Sequence, residues 1–243
     1  MKDYLLDVIT HTNSLDGVDL IKITGTDTLT QVNAIADNKN VIISGSFKNP
    51  IIDFAGVFGM PNLSKLKTIL SFDEYDEKSK IAVLKTNRNG EDVPSSIHFE
   101  TSNGDFVNDY RLMSKELVEE KVKAVAFKGA TWNIEFEPTI AGVQRLKKQA
   151  SANSEEESFT VKTDKTDVKI HFGDPSTHSG NFVFQSNVSG TLNRAWMFPV
   201  KAFLNIMDMV GDKTIRISDQ GVAEITVDSE ISNYKYYLPA QQK

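Results

Sequence analysis

The chain has four histidines (His11, His98, His171 and His178) and no cysteine with which to build metal or nucleophilic chemistry. His171 and His178 flank Gly173-Asp174-Pro175-Ser176-Thr177, so two imidazoles and a carboxylate could meet a cation there. Ligand sets usually come from a rigid helical pair or from several convergent segments, and the plainer reading is a strand end and a turn. The acidic run Asp73-Glu74-Tyr75-Asp76-Glu77 lacks the alternating carboxylates, central glycine and closing glutamate of a calcium loop. It reads as a solvated loop. There is no phosphate-binding glycine loop, no Gly-x-Ser-x-Gly elbow and no His-Glu-x-x-His pair, and no spacing singles out two carboxylates for acid–base work. The expectation is a protein that is not an enzyme, with no catalytic residue, no metal and no cofactor.

The sharper signal is the placement of cations on four amphipathic segments. Apolar residues recur three or four apart in 2–12 (Tyr4, Leu5, Val8, Ile9), 62–72 (Leu63, Leu66, Ile69, Leu70), 139–150 (Ile140, Val143, Leu146, Ala150) and 199–210 (Val200, Phe203, Ile206, Met207, Val210). That spacing predicts helices with one stripe against a sheet. Opposite the stripes stand Lys65 and Lys67 on the second, Arg145 and Lys148 with Lys147 at the border on the third, and Lys201 with Asn205 on the fourth. On the first, Asp3 and Asp7 take the polar side with only Lys2 to offset them. A lysine on such a helix is ordinarily a wet face. If the four helices line one side of a curved sheet, however, their polar faces join into a basic surface suited to phosphates. Nothing in them resembles a recognition helix or a stacking platform, so no sequence preference is expected.

The 243 residues carry 27 Lys+Arg against 33 Asp+Glu, a formal net charge of −6 that by itself argues against nucleic acid. The charge is unevenly distributed: the four helical segments sum to four positive and the remainder to ten negative. The length allows one or two domains with a sizeable core. The absence of cysteine removes thiol chemistry and disulfides and fits an intracellular protein. The apolar runs are too short to cross a bilayer, and Asp7 interrupts the N-terminal stretch where a signal peptide would be apolar.

Between the helices the sequence reads as short strands. Residues 19–25, 158–163, 167–172, 214–218 and 222–227 alternate apolar and polar residues. Asn89-Gly90, Asn103-Gly104, Gly173-Asp174-Pro175 and Asp219-Gln220-Gly221 supply turns. Each helix is followed by strands, four times over, which implies an α+β protein of two similar domains, 1–113 and 131–243, each with two helices on antiparallel sheet. Residues 114–130 lie between them. Residues 114–128 could make a fifth helix or an extended connector, and the connector is the expectation. Ser151–Ser158 reads as an acidic loop.

Three stretches carry a resemblance. Ile52-Asp-Phe-Ala-Gly-Val-Phe-Gly leading into Leu63–Leu70 resembles the strand-to-helix passage of a phage clamp's first domain. Ala195-Trp-Met-Phe-Pro-Val-Lys-Ala-Phe-Leu-Asn-Ile-Met207 is similar to the last strand-to-helix passage of the second. Tyr234-Lys-Tyr-Tyr-Leu-Pro-Ala240 resembles the aromatic final strand and tail of cellular and archaeal clamps. With the helix-plus-strands order, they make the chain look like a DNA sliding clamp of the tailed-phage type, related to proliferating cell nuclear antigen. The resemblance implies a homotrimeric ring around duplex DNA that holds a polymerase on its template, in the cytoplasm of an infected cell if the chain is phage-encoded. Lys65, Lys67, Arg145, Lys147, Lys148 and Lys201 would face DNA. Edge strands near Phe106–Met113 and Asn181–Gln185 would close the ring. Leu117, Val118, Leu238, Pro239 and Ala240 would take peptides from the polymerase and the clamp loader. Replacing Arg145 and Lys148 with alanine is then expected to weaken loading and processive synthesis and to leave the trimer intact. The competing reading is a structural or adhesive β-rich viral protein, which predicts neither a basic lumen nor polymerase stimulation.

Overall fold

The computed structural model describes residues 1–88, 90–122, 127 and 129–241. It is a mixed α+β structure in two compact units. One comprises Met1–Ala126 with Ser229–Tyr234, the other Phe127–Asp228 with Lys235–Lys243. The division is not consecutive in sequence, because the final strand begins in the first unit and ends in the second.

In the first unit, helix α1 (Lys2–Thr12) precedes strands β1 (Leu20–Gly25), β2 (Thr30–Ile35) and β3 (Ile42–Phe47), and β4 (Gly56–Pro61) runs into helix α2 (Leu63–Leu70). The antiparallel order is β4-β1-β2-β3. Strict alternation of buried residues along β1, β2 and β3 puts Ile21, Ile23, Val32, Ala34 and Ile43 in the core. Leu5 and Val8 of α1 and Leu63 and Leu66 of α2 are fully buried too, and the two helices pack side by side. A second sheet holds β5 (Lys80–Arg88), β6 (Glu91–Glu100) and β7 (Val107–Arg111) in that order. The β5–β6 hairpin closes through the Arg88–Glu91 pair, and Asn89 of the expected turn lies outside the described residues.

Two local expectations fail here for physical reasons. Residues 52–54, read as strand, form a single 3₁₀ turn that buries Phe54. Gly25 permits it, since a Cβ there would sit 2.0 Å from the Phe54 carbonyl oxygen. Residues 115–121, expected to be extended, are helix α3 (Lys115–Lys121). No glycine or proline interrupts them, Glu116 and Lys121 suit the helix dipole at opposite ends, and fully buried Val118 packs on Gly59 of β4. Residues 123–126 and 128 of the expected connector lie outside the described residues. The acidic run at 73–77 is likewise more than a wet loop. Tyr75 within it is 1% exposed, ringed by Phe72, Phe99 and Phe106, while Asp76 turns outward to accept from the Lys78 amide and Ser79.

The second unit repeats the pattern. Strand β8 (Ile134–Phe136) precedes helix α4 (Ile140–Ala152), then come β9 (Ser158–Asp164), β10 (Asp167–Gly173), β11 (Ser179–Gln185) and β12 (Trp196–Pro199), helix α5 (Val200–Asp208), β13 (Asp212–Ser218), β14 (Val222–Asp228) and β15 (Ser232–Pro239). One sheet runs β11-β10-β9-β12, and the other is ordered β15-β14-β13-β8. Phe159, Phe172, Phe184, Phe198 and Phe203 form the core under the helices. The Phe159 and Phe203 rings meet edge to face at 5.1 Å, a geometry aromatic quadrupoles favour.

Candidate nucleic-acid interface

Helix α2 is short and unambiguous. Leu63, Leu66, Ile69 and Leu70 face the core, and Lys65 and Lys67 are exposed on the other side. Neither ammonium has an ion pair or hydrogen bond to a described residue.

Helix α4 is positioned by β11. Thr139 caps it by accepting from the Gly142 amide, and its own amide donates to Gln185 Oε1 at 3.3 Å. One turn on, Gly142 lies so close to the strand that a Cβ would stand 2.3 Å from the Phe184 carbonyl oxygen. Leu146 is fully buried and Ile140, expected on the apolar stripe, is 80% exposed. Arg145, Lys147 and Lys148 are all exposed, but they are not equivalent. Arg145 donates from a guanidinium nitrogen to the Val183 carbonyl of β11 at 3.1 Å. Lys147 is ion-paired with Asp208, the last residue of α5. Only the Lys148 ammonium of the three lacks a partner among the described residues.

Helix α5 buries Val200, Ala202, Phe203, Ile206 and Met207 and exposes Lys201 and Asp208. Its C-terminal turn is closed by Lys213, whose ammonium donates to the carbonyls of Met209 and Gly211. Burial holds the Lys213 ammonium below the ordinary lysine range, against the pull of Asp208 and Asp212.

Helix α1 departs from expectation. Asp3 is exposed, but Asp7 turns inward, where its Oδ2 accepts from Ser232 Oγ at 2.7 Å and Tyr234 Oη at 2.8 Å. The His11 ring stacks on Tyr234 at 4.6 Å, with its Nδ1 3.4 Å from Asp7 Oδ1. Burial pushes the Asp7 carboxyl up, but hydrogen bonds from His11, Ser229, Ser232 and Tyr234 outweigh it and hold the group below the usual aspartate range. Asp7 therefore anchors the start of β15 rather than opposing a phosphate. Gly45 on β3 completes the fit, since a Cβ there would lie 2.6 Å from the Tyr234 ring.

The two strands expected to close a ring, β7 and β11, each lie at an edge of their sheet, as do β5 and β12. On β7, Asp109 receives His98 Nδ1 from β6 at 2.9 Å, and Glu100 Oε2 lies 3.3 Å from the other ring nitrogen. The bond to Asp109, aided by Glu100, raises the His98 imidazolium's pKa above the ordinary value against a smaller effect of burial.

The residues expected to hold partner peptides differ in exposure. Leu117 is 52% exposed on α3, whereas Val118 and Leu238 are fully buried. Pro239 is exposed and Ala240 half-buried, the latter tied by its amide to the Gly221 carbonyl. Missed by sequence reasoning was a cavity of about 690 Å³ in the first unit, lined among others by Leu20, Ile35, Pro61, Met113, Lys121 and Val122. Its lining comes from five separate segments, which no local pattern joins. As for the metal reading, His171 sits on β10 where burial, then Lys162 and Lys169, push its imidazole pKa down, an environment that opposes another cation. Among the described residues no three His, Asp or Glu side chains are grouped to hold a metal.

Among the described residues no helix is long and apolar enough to cross a membrane. Comparison by sequence finds no matching family model and no matching curated protein. Comparison by structure does find a likeness: to a chain in the solved structure titled "C-terminal region of FEN-1 bound to A. fulgidus PCNA", with a TM-score of 0.72 and 12% identity over 100% of this chain and 96% of that one. The fold is that of a PCNA-like clamp over its full length, reached with a sequence that retains little of it.

Proposed function

We propose that this chain is a DNA sliding clamp of the tailed-phage type. Three copies would close a ring around duplex DNA and tether the replicative polymerase, and a clamp loader would open it. The observation that carries the reading is the full-length clamp fold, on whose helices the exposed cations stand. Ring closure would pair β7 of one subunit with β11 of the next, since sheet edges present unpaired amides and carbonyls and a head-to-tail contact can close into a ring. Function is then topological. Lys65, Lys67, Lys148 and Lys201 would make weak, exchanging phosphate contacts without base readout, Arg145 and Lys147 would add to the positive field around them, and the ring would stay on DNA because it is closed. The strands and loops carry the negative excess and repel DNA from the outside.

Partner peptides from polymerase and loader are assigned to exposed Leu117 on α3 and the neighbouring cavity of the first unit, and to Pro239 and Ala240 in the second. Val118 and Leu238, both buried, would support the backbone of those segments.

The test is primer extension on a circular template with the cognate polymerase and loader, alongside sedimentation. A trimer of the 27.1 kDa chain that lengthens products is the expected result. A monomer that leaves product length unchanged would sink the proposal and favour a structural viral protein.

A further inference from the structure

Two of the three cations on α4 are already engaged by protein groups: Arg145 by the Val183 carbonyl and Lys147 by Asp208. The Lys147–Asp208 pair is not needed to hold the helices together. Helix α5 is fixed by Phe203, Ile206 and Met207, and α4 by Leu146 and the close approach of Gly142 to β11. Both side chains are about half exposed, Lys147 at 48% and Asp208 at 55%, a setting in which an ion pair adds little to stability. Its consequence is electrostatic. A lysine gains its hold on duplex DNA by releasing the counterions condensed on a phosphate. Lys147 carries its own counterion in Asp208, so it must either break the pair or bring a carboxylate against the phosphate.

We infer that Asp208 is a positioning residue that holds Lys147 off the DNA backbone and so acts as a brake on the grip of the ring. The inference rests on the clamp reading. Lys213 lies near enough to Asp208 to feel its charge, but its ammonium is committed to the Met209 and Gly211 carbonyls. Lys147 is therefore the cation that Asp208 controls.

The experiment is fluorescence anisotropy of the full-length protein on a short linear duplex over a range of salt concentrations, with wild type, Asp208→Asn, Asp208→Ser, Lys147→Ala, Asp208→Asn/Lys147→Ala and Lys148→Ala. Releasing Lys147 should tighten binding at low salt by about two- to fivefold in both Asp208 variants and steepen the slope of log K against log salt by about 0.9. The double variant should return to the behaviour of Lys147→Ala, and thermal midpoints should not move. Wild-type affinity and slope in both Asp208 variants, with weaker binding in Lys148→Ala, would overturn the brake and leave the DNA interface standing. A gain that survives in the double variant would overturn the assignment to Lys147. No binding by wild type at any salt, or none of it lost in Lys148→Ala, would overturn the DNA-facing assignment and the brake with it, while the clamp reading itself stands or falls by primer extension and sedimentation.

Discussion

The Asp7 carboxylate sets up the most quantitative test of the fold. Its Oδ2 accepts two hydroxyls, from Ser232 and Tyr234, both fully buried, and Oδ1 faces the His11 ring. A hydrogen bond to a charged group is worth about 1.5–3 kcal/mol, so Asp7→Ala should cost about 3–5 kcal/mol. Asp7→Asn keeps one acceptor oxygen for the two hydroxyls but loses the charge, and should cost about 1–2 kcal/mol. The pH dependence has a definite sign. A carboxyl held below its unfolded pKa of 3.8 stabilises the fold at every pH above that value, and the contribution is lost as pH falls through the lower folded pKa. Urea denaturation of wild type and Asp7→Asn at one fixed protein concentration should therefore show a constant gap from pH 7 to pH 5 that narrows below about pH 4. A gap under about 0.5 kcal/mol at pH 7, or one that widens in acid, would refute the anchor and return Asp7 to the wet face of α1.

Other consequences follow from single contacts. Arg145→Ala removes a bond to edge strand β11; on the proposed ring, and contrary to the expectation from sequence of an intact trimer, it should weaken trimerisation in sedimentation as well as synthesis. Lys148→Ala should affect synthesis alone, and trimers equally stable in both would return Arg145 to the simple DNA-facing role. His98 has its pKa raised by Asp109, so its stabilising effect is complete below the unfolded value of 6.5 and fades as pH rises through the folded one. The urea-midpoint gap between wild type and His98→Gln should close accordingly, and a flat gap from pH 6 to pH 9 would count against it. Gly142→Ala would drive a methyl into backbone and should cost about 2 kcal/mol, lowering Tm by about 4–8 °C; an unchanged melting curve would mean that α4 is free to shift from β11.

Periodicity in the sequence located four of the five helices to within two or three residues at each end, because a stripe such as Leu63, Leu66, Ile69 and Leu70 has no other use. The same signal could not see α3, whose one buried residue, Val118, makes no stripe. Nor could it place Asp7, which lies beside the apolar stripe of α1 and finds its partners 225 and 227 residues away. Tyr75 was hidden by its neighbours, since a single aromatic among four acids reads as polar until Phe72, Phe99 and Phe106 are folded around it. The cation list was legible for exposure and illegible for pairing. Helical spacing says which side Lys147 is on, but only the packing of α4 on α5 brings Asp208 to it.

That difference changes what charge can mean for a clamp. Counted on the sequence, α4 would contribute three positive charges to the proposed DNA-facing surface; counted by commitment, it would contribute Lys148. With Lys65 and Lys67 on α2, three of the six candidate cations have no partner among the described residues. Each phosphate neutralised adds about 0.9 to the salt slope, so a subunit whose cations all engaged DNA would bind about twice as steeply as one whose committed cations stay where they are. A ring retained by closure gains nothing from that extra grip, because every additional phosphate contact must break at each step along the duplex. On the proposed clamp function, holding Arg145 on the edge strand and Lys147 on Asp208 would keep the positive field that attracts DNA while limiting the contacts that would resist sliding.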